Sequence, residues 1–570
     1  MSFLQLSRSD RRLAALSAFF ALPTARIAAL AALHLAALAI AVWTEGDLAS
    51  VAAFALFWGL LNGLLLIVLR RPVATAALSL AIVVLLILLS RLKHGILSMT
   101  VNFVDLMIID VDTFAFLLAV FPGLGWIVAV AAALAAPVFV LTYWLDPLRV
   151  RIRSAALGAA LCCAGLAGLT AAVASDPYNE FYSGQYVSKF ARSGITAVSE
   201  YFTRGLFEAD AVAAERLKPA AGDICASQRA LPHIVMVFDE SSFDISTVPG
   251  VKLPPDYQQH FGSFDGKQRT LLVEGAGGPS WYTEYNALTG LSARSFGRFA
   301  DFLTRIAAGR VERGLPHALR ACGYKTFSLY PFWGAFLGAR SFQMTTGIEH
   351  FLDAKDLGTR NVEPDGFYLD AAARVIARER GSSPLFLFVY TVANHFPWDY
   401  RFRPELTPGW RDLGNAPETD EYLRRQSMSA RDYAAFRERL QREFPGEPFL
   451  IVRFGDHQPS FARHLIDSRF DDSLLARMIA LGDPRFLTTY YAIDTLNFRP
   501  ADLSSALDTI EAPYLPLVVL EAAGMPLNPS FAEQKKILQR CQGLFYRCDG
   551  GAEVRRFNRL LIDAGLIKGL

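Results

Sequence analysis

The sequence predicts a multi-span α-helical membrane domain followed by an α/β domain with a largely parallel sheet. Of the 570 residues, 52% are hydrophobic and only 19% are charged, and the charge-poor stretches concentrate in residues 1–175. Beyond residue 231, short apolar runs alternate with amphipathic helical segments, which is typical of an α/β domain. These observations exclude a purely soluble enzyme. The formal net charge of +2 gives no basic surplus that would favour nucleic acid as a partner.

Five uncharged stretches are long enough to cross a bilayer, which takes about 20 apolar residues in a helix. They are Ile27–Trp43, Ser50–Leu69, Ala74–Ser90, Gly123–Leu145 and Ser154–Ser175. Between the third and fourth stretches, residues 104–120 contain Asp105, Asp110 and Asp112, too many carboxylates for a lipid-facing span. We expect this segment to lie along the membrane interface or to re-enter the bilayer.

Basic residues predict the orientation of the spans. They precede the first span, separate the second from the third and separate the fourth from the fifth: Arg8, Arg11, Arg12, Arg70, Arg71, Arg149, Arg151 and Arg153. With five spans these groups share the cytoplasmic side, so the chain after about residue 176 lies outside. Arg91 and Lys93, which follow the third span, are the exception, because this topology places these two basic residues on the extracytoplasmic side.

We therefore predict a membrane domain over residues 1–178 and a juxtamembrane helical linker over residues 179–230. An extracytoplasmic α/β domain follows over residues 231–530, and a C-terminal tail over residues 531–570. In the tail, Cys541 and Cys548 bracket a short polar loop, and an oxidising compartment would favour a disulfide between them.

Within the α/β domain, five apolar runs are predicted to be strands: His233–Phe238, Thr326–Leu329, Leu385–Thr391, Phe449–Phe454 and Leu515–Leu520. Ligands of open α/β sheets bind beyond the carboxyl ends of the strands. Three of the runs end in ionisable residues, which are Glu240, His395 and the pair Asp456 and His457. A glycine-rich loop before a predicted helix carries Ser280, near a helix amino terminus that favours anions.

These residue types suit metal-assisted chemistry at phosphorus. Glu240, Asp456 and His457 form a ligand set for one divalent cation, Mn²⁺, Zn²⁺ or Mg²⁺. A serine hydroxyl beside such a cation becomes a nucleophile, and His395 would protonate the leaving oxygen or hold the phosphate with Arg340. Taken singly, each of these residues is more simply a turn, cap or surface residue. Only the combination indicates a site.

The combination resembles a known family. The segments Phe238–Ser242, Gly278–Tyr285, Thr391–Pro397 and Phe454–Gln458 are similar, in this order, to those of lipoteichoic acid synthases. Related bacterial phosphoglycerol and phosphoethanolamine transferases belong to the same sulfatase/alkaline phosphatase superfamily. The resemblance covers about residues 231–500. It implies an alkaline phosphatase/sulfatase-like fold for the α/β domain, held outside the inner membrane of a bacterium.

The resemblance also implies roles. Glu240, Ser280, Asp456 and His457 would bind one divalent metal ion, with Mn²⁺ preferred, and Ser280 would be the nucleophile. Arg340 and His395 would bind the head group. These transferases usually carry threonine at the position of Ser280, and serine keeps the hydroxyl. The surroundings of Ser280 lack the pattern that converts a sulfatase nucleophile to formylglycine, which disfavours sulfate ester hydrolysis.

The leading hypothesis is a membrane-bound phosphoglycerol transferase. It would move the head group of an anionic phospholipid, phosphatidylglycerol, to an envelope glycan or glycolipid through a covalent Ser280 intermediate. Phosphoethanolamine transfer and metal-dependent hydrolysis of a phosphodiester are the alternatives within the superfamily. An inactive envelope sensor or scaffold is the alternative outside enzymes, although such a protein would be expected to lose metal ligands.

Overall fold

A computed structural model describes residues 23–97, 99–108, 111–120, 123–146, 148–173, 182–211, 216–217, 231–381, 383–469 and 471–570. The chain divides into two compact units. The first comprises Met1–Leu106 with Val120–Glu200, and the second comprises Met107–Ala119 with Tyr201–Leu570.

Apolar helices build the first unit. They are α1 (Pro23–Glu45), α2 (Leu48–Leu69), α3 (Pro72–Leu97), α5 (Leu124–Leu145), α6 (Ile152–Ala172) and α7 (Tyr186–Thr203). Five of them contain a segment long and apolar enough to cross a membrane: Ile27–Glu45, Leu48–Leu69, Pro72–Gly95, Leu124–Trp144 and Ile152–Ala172. The five predicted apolar spans are therefore confirmed. The basic residues before the first span lie outside the described residues.

The segment between the third and fourth spans, which is predicted to lie along the membrane interface or to re-enter the bilayer, is described in two parts. It contains a 3₁₀ helix (Phe103–Ile108) and the helix α4 (Val111–Val120). The ammonium of Lys93 lies 2.8 Å from a carboxylate oxygen of Asp105. Asp105 thus neutralises the charge of Lys93, one of the two basic residues that the predicted orientation places on the extracytoplasmic side. Asp110 is not among the described residues.

The helix α7 falls within the predicted juxtamembrane linker. Its first half is buried in the first unit, where Tyr186, Val187 and Phe190 pack against residues of α2 such as Phe54 and Trp58. The compact unit thus extends to Glu200, beyond the predicted boundary at residue 178. Residues 212–215 and 218–230 of the linker lie outside the described residues.

An eight-stranded mixed sheet organises the second unit, in the order β4-β3-β5-β1-β6-β7-β2-β8. Its strands are β1 (His233–Asp239), β2 (Arg269–Leu272), β3 (Lys325–Leu329), β4 (His350–Leu352), β5 (Leu385–Thr391), β6 (Phe449–Gly455), β7 (Thr488–Leu496) and β8 (Thr509–Glu511). The strand β7 runs antiparallel to both neighbours, and the other pairings are parallel. Every residue of β5 and β6 is buried, because helices cover both faces of a parallel sheet.

Helices alternate with these strands, which confirms the predicted α/β class. They are α8 (Ser280–Thr289), α9 (Leu303–Ala307), α10 (Leu315–Arg320), α11 (Ala339–Thr345), α12 (Ala354–Leu357), α13 (Asp365–Glu379), α14 (Pro417–Glu443), α15 (Ala462–Ile466), α16 (Asp472–Ala480), α17 (Pro484–Leu487), α18 (Leu515–Ala522), α19 (Pro529–Cys541) and α20 (Ala552–Asp563).

The predicted strand Leu515–Leu520 is wrong, since these residues form α18. A short run that is apolar on every side does not distinguish a buried strand from a buried helix. Pro516 lies in the first turn of this helix, where its missing N–H costs nothing.

The predicted C-terminal tail is folded into the second unit. In α19, Phe531, Ile537 and Leu538 are buried, and α20 packs beside α19. A disulfide joins Cys541 to Cys548. The carboxylate of Glu511, at the end of β8, accepts hydrogen bonds from the amides of Phe545 and Tyr546 inside this loop.

Candidate active site

The three central strands bring their carboxyl ends to one edge of the sheet. In the parallel register Asp239 of β1 lies opposite Thr391 of β5 and Gly455 of β6. The residues that follow these strands therefore emerge side by side, where open α/β sheets bind their ligands. Glu240 and Asp456 are the first residues beyond β1 and β6.

A tight turn after β1 places Glu240 beside Asp456. Ser241 has a positive φ of 51°, which turns the chain sharply. Its amide then donates to Asp456 Oδ1 over 2.6 Å, and its hydroxyl donates to Glu240 Oε1 over 2.9 Å. Both carboxylates are buried, and a like-charged pair in such a place requires a compensating positive charge.

Ser280 is the first residue of α8, at the helix amino terminus that the sequence predicted for it. Its hydroxyl donates to Glu240 Oε2 over 3.1 Å, and its Oγ lies 3.2 Å from His457 Nε2. The side chain is 9% exposed. The Ser280 hydroxyl therefore lies within hydrogen-bond distance of both the Glu240 carboxylate and the His457 imidazole.

His457 presents Nε2 to this cluster. Its Nδ1 lies 2.9 Å from the carbonyl of Gln458, so Nδ1–H donates there and Nε2 is the atom that could bind a cation. Nε2 lies 3.3 Å from Glu240 Oε1 and 3.3 Å from Asp456 Oδ2. Ligand atoms of Glu240, Asp456 and His457 all fall within 4.8 Å of one another.

The proximity of these groups shifts their pKa values. For Asp456, burial and then the charge of Glu240 raise the pKa to about 8. For His457, burial lowers the pKa, but the Asp456 and Glu240 carboxylates outweigh burial and raise the value to about 9. For Glu240, burial raises the pKa, but the hydrogen bond and charge of His457 outweigh it and lower the value to about 2. Without a cation, the cluster therefore holds protons at Asp456 and His457 near neutral pH.

The donor set fits a divalent cation. Asp456 Oδ2 is buried and accepts no hydrogen bond from any residue that the structure describes. This oxygen faces His457 Nε2 at 3.3 Å, and a buried carboxylate oxygen without a full hydrogen bond is stabilised when a cation binds it. Two carboxylates, an imidazole nitrogen and a hydroxyl suit a hard to borderline cation, so Glu240, Asp456, His457 and Ser280 are the residues that would hold it.

His395 lies beyond β5 on the same edge and is buried. Its Nδ1 lies 2.8 Å from the carbonyl of Phe396, so Nδ1–H donates there and Nε2 is the proton acceptor. Its ring packs edge-on against Phe332 with centroids 5.7 Å apart. Burial lowers the pKa of His395 although the charge of Glu240 opposes this, which favours a neutral ring at pH 7.

Arg340, the predicted head-group arginine, uses its guanidinium elsewhere. It donates to the carbonyl of Phe351 over 3.0 Å and to Asp353 Oδ2 over 2.7 Å, and it lies 3.3 Å from Asp356 Oδ2. These contacts hold α11, β4 and α12 together and do not include the Ser280 cluster. A substrate role for Arg340 stays a prediction.

Two further side chains donate hydrogen bonds to residues of the cluster and were not predicted from the sequence. The hydroxyl of Tyr390, in β5, donates to Glu240 Oε2 over 3.1 Å. The hydroxyl of Thr283, one helical turn beyond Ser280, donates to the carbonyl of Asp456 over 2.7 Å. A tyrosine in an otherwise apolar strand is a usable signal, because a buried phenol needs a hydrogen-bond partner.

Comparison with protein families identifies the domain that contains this cluster. Residues 275–477 match the family model described as Sulfatase. This match covers Ser280, His395, Asp456 and His457, while Glu240 lies before it.

Two curated relatives come from Rhizobium meliloti (strain 1021). A putative cyclic beta-1,2-glucan modification protein is 23% identical over 260 residues, which are 44% of this chain and 39% of the relative. The capsular polysaccharide biosynthesis protein RkpI is 29% identical over 272 residues, which are 45% of this chain and 47% of the relative. The chain thus spans less than half the length of the curated relatives it matches.

Among solved structures, the chain is similar to the phosphoglycerol transferase GacH of Streptococcus pyogenes, in complex with sn-glycerol-1-phosphate. The two are 17% identical with a TM-score of 0.45, over 59% of this chain and 85% of that chain.

Proposed function

Since residues 275–477 match the Sulfatase family model, we propose that the chain is a membrane-bound phosphoglycerol transferase. It moves the head group of phosphatidylglycerol to a hydroxyl of an envelope glycan or glycolipid. One observation carries the proposal: the Ser280 hydroxyl lies 3.1 Å from Glu240 and 3.2 Å from His457, within a buried cluster that fits a divalent cation.

Four residues would hold a divalent cation beside the nucleophilic oxygen of Ser280. Glu240, Ser280, Asp456 and His457 would hold one divalent cation, Mn²⁺ in preference to Zn²⁺ or Mg²⁺, whose charge favours the ionised hydroxyl and offsets charge on the phosphoryl oxygens. Ser280 also begins α8, so the amide groups of the first helical turn favour an anion beside it.

The reaction has two half-reactions. Ser280 Oγ attacks the phosphorus, a new O–P bond forms, and the bond from phosphorus to the diacylglycerol oxygen breaks. The acceptor hydroxyl then attacks the same phosphorus and releases Ser280. His395 is neutral before the reaction, so its Nε2 first takes the proton that Ser280 loses and gives it to the departing diacylglycerol oxygen. In the second half-reaction Nε2 takes the proton of the acceptor hydroxyl and returns it to Ser280.

The membrane helices and the relatives support the choice of substrates. Five helices are long and apolar enough to cross a membrane, which supports a lipid as the donor. The predicted orientation puts the second unit outside a bacterial inner membrane. Both curated relatives are named for glycans, a cyclic β-1,2-glucan and a capsular polysaccharide, which supports a glycan acceptor.

The test uses the full chain in lipid nanodiscs with Mn²⁺. Phosphatidylglycerol and phosphatidylethanolamine, each labelled in its head group, are supplied separately. We expect label to leave phosphatidylglycerol with release of diacylglycerol, and Ser280→Ala to abolish this release. Release from phosphatidylethanolamine alone would instead support phosphoethanolamine transfer by the same site. Unchanged release by Ser280→Ala would contradict the nucleophile.

A further inference from the structure

We propose that Arg425 is a positioning residue that fixes His395 for proton transfer. Arg425 lies in α14 and is 1% exposed. One of its terminal nitrogens donates to the carbonyl of His395 over 2.8 Å. The other donates to the carbonyls of Pro397 over 2.9 Å and of Tyr400 over 3.1 Å. A single guanidinium therefore holds three carbonyls of the loop that carries His395.

Without Arg425 three carbonyls of this loop would lose their partner, in a buried place for His395 and in a partly buried place for Pro397 and Tyr400. Backbone carbonyls away from water need a hydrogen-bond partner, and a loop does not supply one from its own ladder. The planar guanidinium suits the task, because its five N–H groups point in fixed directions. A lysine ammonium at the same position would reach at most one or two of these carbonyls.

The carboxylate of Glu421, one helical turn before Arg425 in α14, holds the guanidinium in place. Arg425 Nε donates to Glu421 Oε1 over 2.6 Å, and Glu421 is itself 2% exposed. Burying an ion pair costs more than it returns unless further hydrogen bonds complete the geometry. Here the loop carbonyls accept the remaining N–H groups of Arg425. The buried Arg425–Glu421 pair and the position of the loop therefore stabilise each other.

The effect on His395 passes through the backbone. Its ring direction is set by the bond from Nδ1 to the Phe396 carbonyl, within the segment that Arg425 holds at both ends. Displacing this segment would rotate Nε2 away from the phosphorus substituents. Arg425 touches no reacting atom in this arrangement, so its contribution is to orient His395.

Arg424 provides a matched control from the same helix. It is 2% exposed and donates to both oxygens of Glu421, as a neighbour of Arg425. Its remaining bonds go to the carbonyl of Phe402 and, over 2.6 Å, to the hydroxyl of Thr407. Arg424 thus shares the burial and the counter-charge of Arg425 without contacting residues 395–397.

The inference rests on the proposed function, so its test includes a readout that does not depend on transfer. Arg425→Lys and Arg424→Lys are made in the full chain in nanodiscs, and unfolding temperature and Mn²⁺ affinity are recorded first. We expect both variants to lose similar stability and to bind Mn²⁺ as the wild type does. Arg425→Lys should lower kcat about tenfold or more with little change in KM, as misplacement of a catalytic group does. Arg424→Lys should keep kcat within about threefold of the wild type once the folded fraction is counted.

The independent readout is the ¹⁵N resonance pair of the His395 ring, assigned by its loss in His395→Gln. We expect Arg425→Lys to broaden or shift these resonances and Arg424→Lys to leave them unchanged. The His395 resonances can be recorded even if the protein transfers no lipid head group. Failure of the proposed function can therefore be distinguished from failure of the inference about Arg425. If Arg425→Lys does not fold, Arg425→Gln replaces it.

Equal effects of Arg424→Lys and Arg425→Lys on kcat and on the His395 resonances would overturn the inference. So would loss of folding in both Arg425 variants while Arg424→Lys folds, because Arg425 would then serve stability alone.

Discussion

Ser280 carries the hydroxyl on which the proposed chemistry depends, at a position where the resembled transferases usually carry threonine. Ser280→Thr keeps the oxygen and adds a methyl group that restricts the side-chain rotamer. We expect Ser280→Thr to retain transfer within about tenfold of the wild type, and Ser280→Ala to lose about a thousandfold or more. Initial rates of diacylglycerol release measure both. Activity of Ser280→Ala above a tenth of the wild-type rate would exclude Ser280 as the nucleophile.

The pKa values around Ser280 predict how metal binding depends on pH. In the cation-free protein the pKa of Asp456 is raised to about 8 and that of His457 to about 9, so both hold protons at pH 7. A cation takes the deprotonated ligands, and binding therefore releases protons. We expect the affinity for Mn²⁺ to rise between about pH 6 and 8, by about tenfold per pH unit for each proton released.

Isothermal titration in two buffers of different ionisation enthalpy counts the released protons. Asp456→Asn removes one of these groups and should weaken binding and flatten its pH dependence. An affinity that is constant across this range would show that the cluster is already deprotonated, or that the cation binds elsewhere.

The grouping of Glu240, Asp456 and His457 could be anticipated because each follows an apolar run that ends at the same sheet edge. Their chemical roles stay predictions. Tyr390 and Arg425 do not follow the end of an apolar run, since Tyr390 lies inside β5 and Arg425 inside α14, so this rule does not point to them. The head-group role of Arg340 rests on the resemblance alone and stays a prediction, while its guanidinium binds Asp353 and the Phe351 carbonyl in the folded chain.

At the scale of elements, the ends of β1 and β6 depend on a glycine. A Cβ added at Gly455, the last residue of β6, would lie 1.8 Å from the carbonyl oxygen of Ser242. Backbone must move to relieve this overlap, and it moves next to Glu240 and Asp456. We expect Gly455→Ala to lower the free energy of unfolding by about 2 kcal/mol or more, and to weaken Mn²⁺ binding.

Gly381, where an added Cβ meets nothing within 4 Å, is the control. Gly381→Ala should leave both quantities unchanged. Denaturant unfolding and Mn²⁺ titration of the two variants measure the difference, and equal behaviour would contradict the packing of β6 against the turn after β1.

The disulfide between Cys541 and Cys548 closes a short loop far along the chain from the cluster. Replacing both cysteines with serine should lower the free energy of unfolding by about 2 kcal/mol, the chain-entropy value for a loop of this length. Glu511 still binds two amides of the loop, so we expect the transfer rate to stay near that of the wild type. A large loss of activity without a loss of stability would instead tie this loop to the reaction.

The type of an element could be predicted where a short apolar run and the polar residues that end it both indicate a strand. The runs that became β1, β3, β5 and β6 are such cases. Leu515–Leu520 was predicted as a strand and is helical, because apolar runs of this length lack a period. The short strands β2, β4 and β8 have three or four residues each, too few for a pattern to emerge against neighbouring loops.

At the scale of the whole molecule, two features of composition separate the units. Charge-poor stretches predicted the five apolar helices, and alternating short runs predicted the sheet domain. The boundary between the units was harder to place, because α7 combines a buried apolar half with polar positions typical of a linker. Burial of Tyr186 and Val187 depends on a surface that the first unit provides only after folding.

Mass spectrometry of the peptide containing Ser280 tests the central claim most directly. The full chain in nanodiscs is incubated with Mn²⁺ and phosphatidylglycerol in the absence of an acceptor, then quenched with acid and digested. The account predicts that Ser280 gains the mass of glycerol phosphate less one water, and that adding a glycan acceptor removes this group. An unmodified Ser280 while diacylglycerol is released, or the same group on another residue, would contradict it.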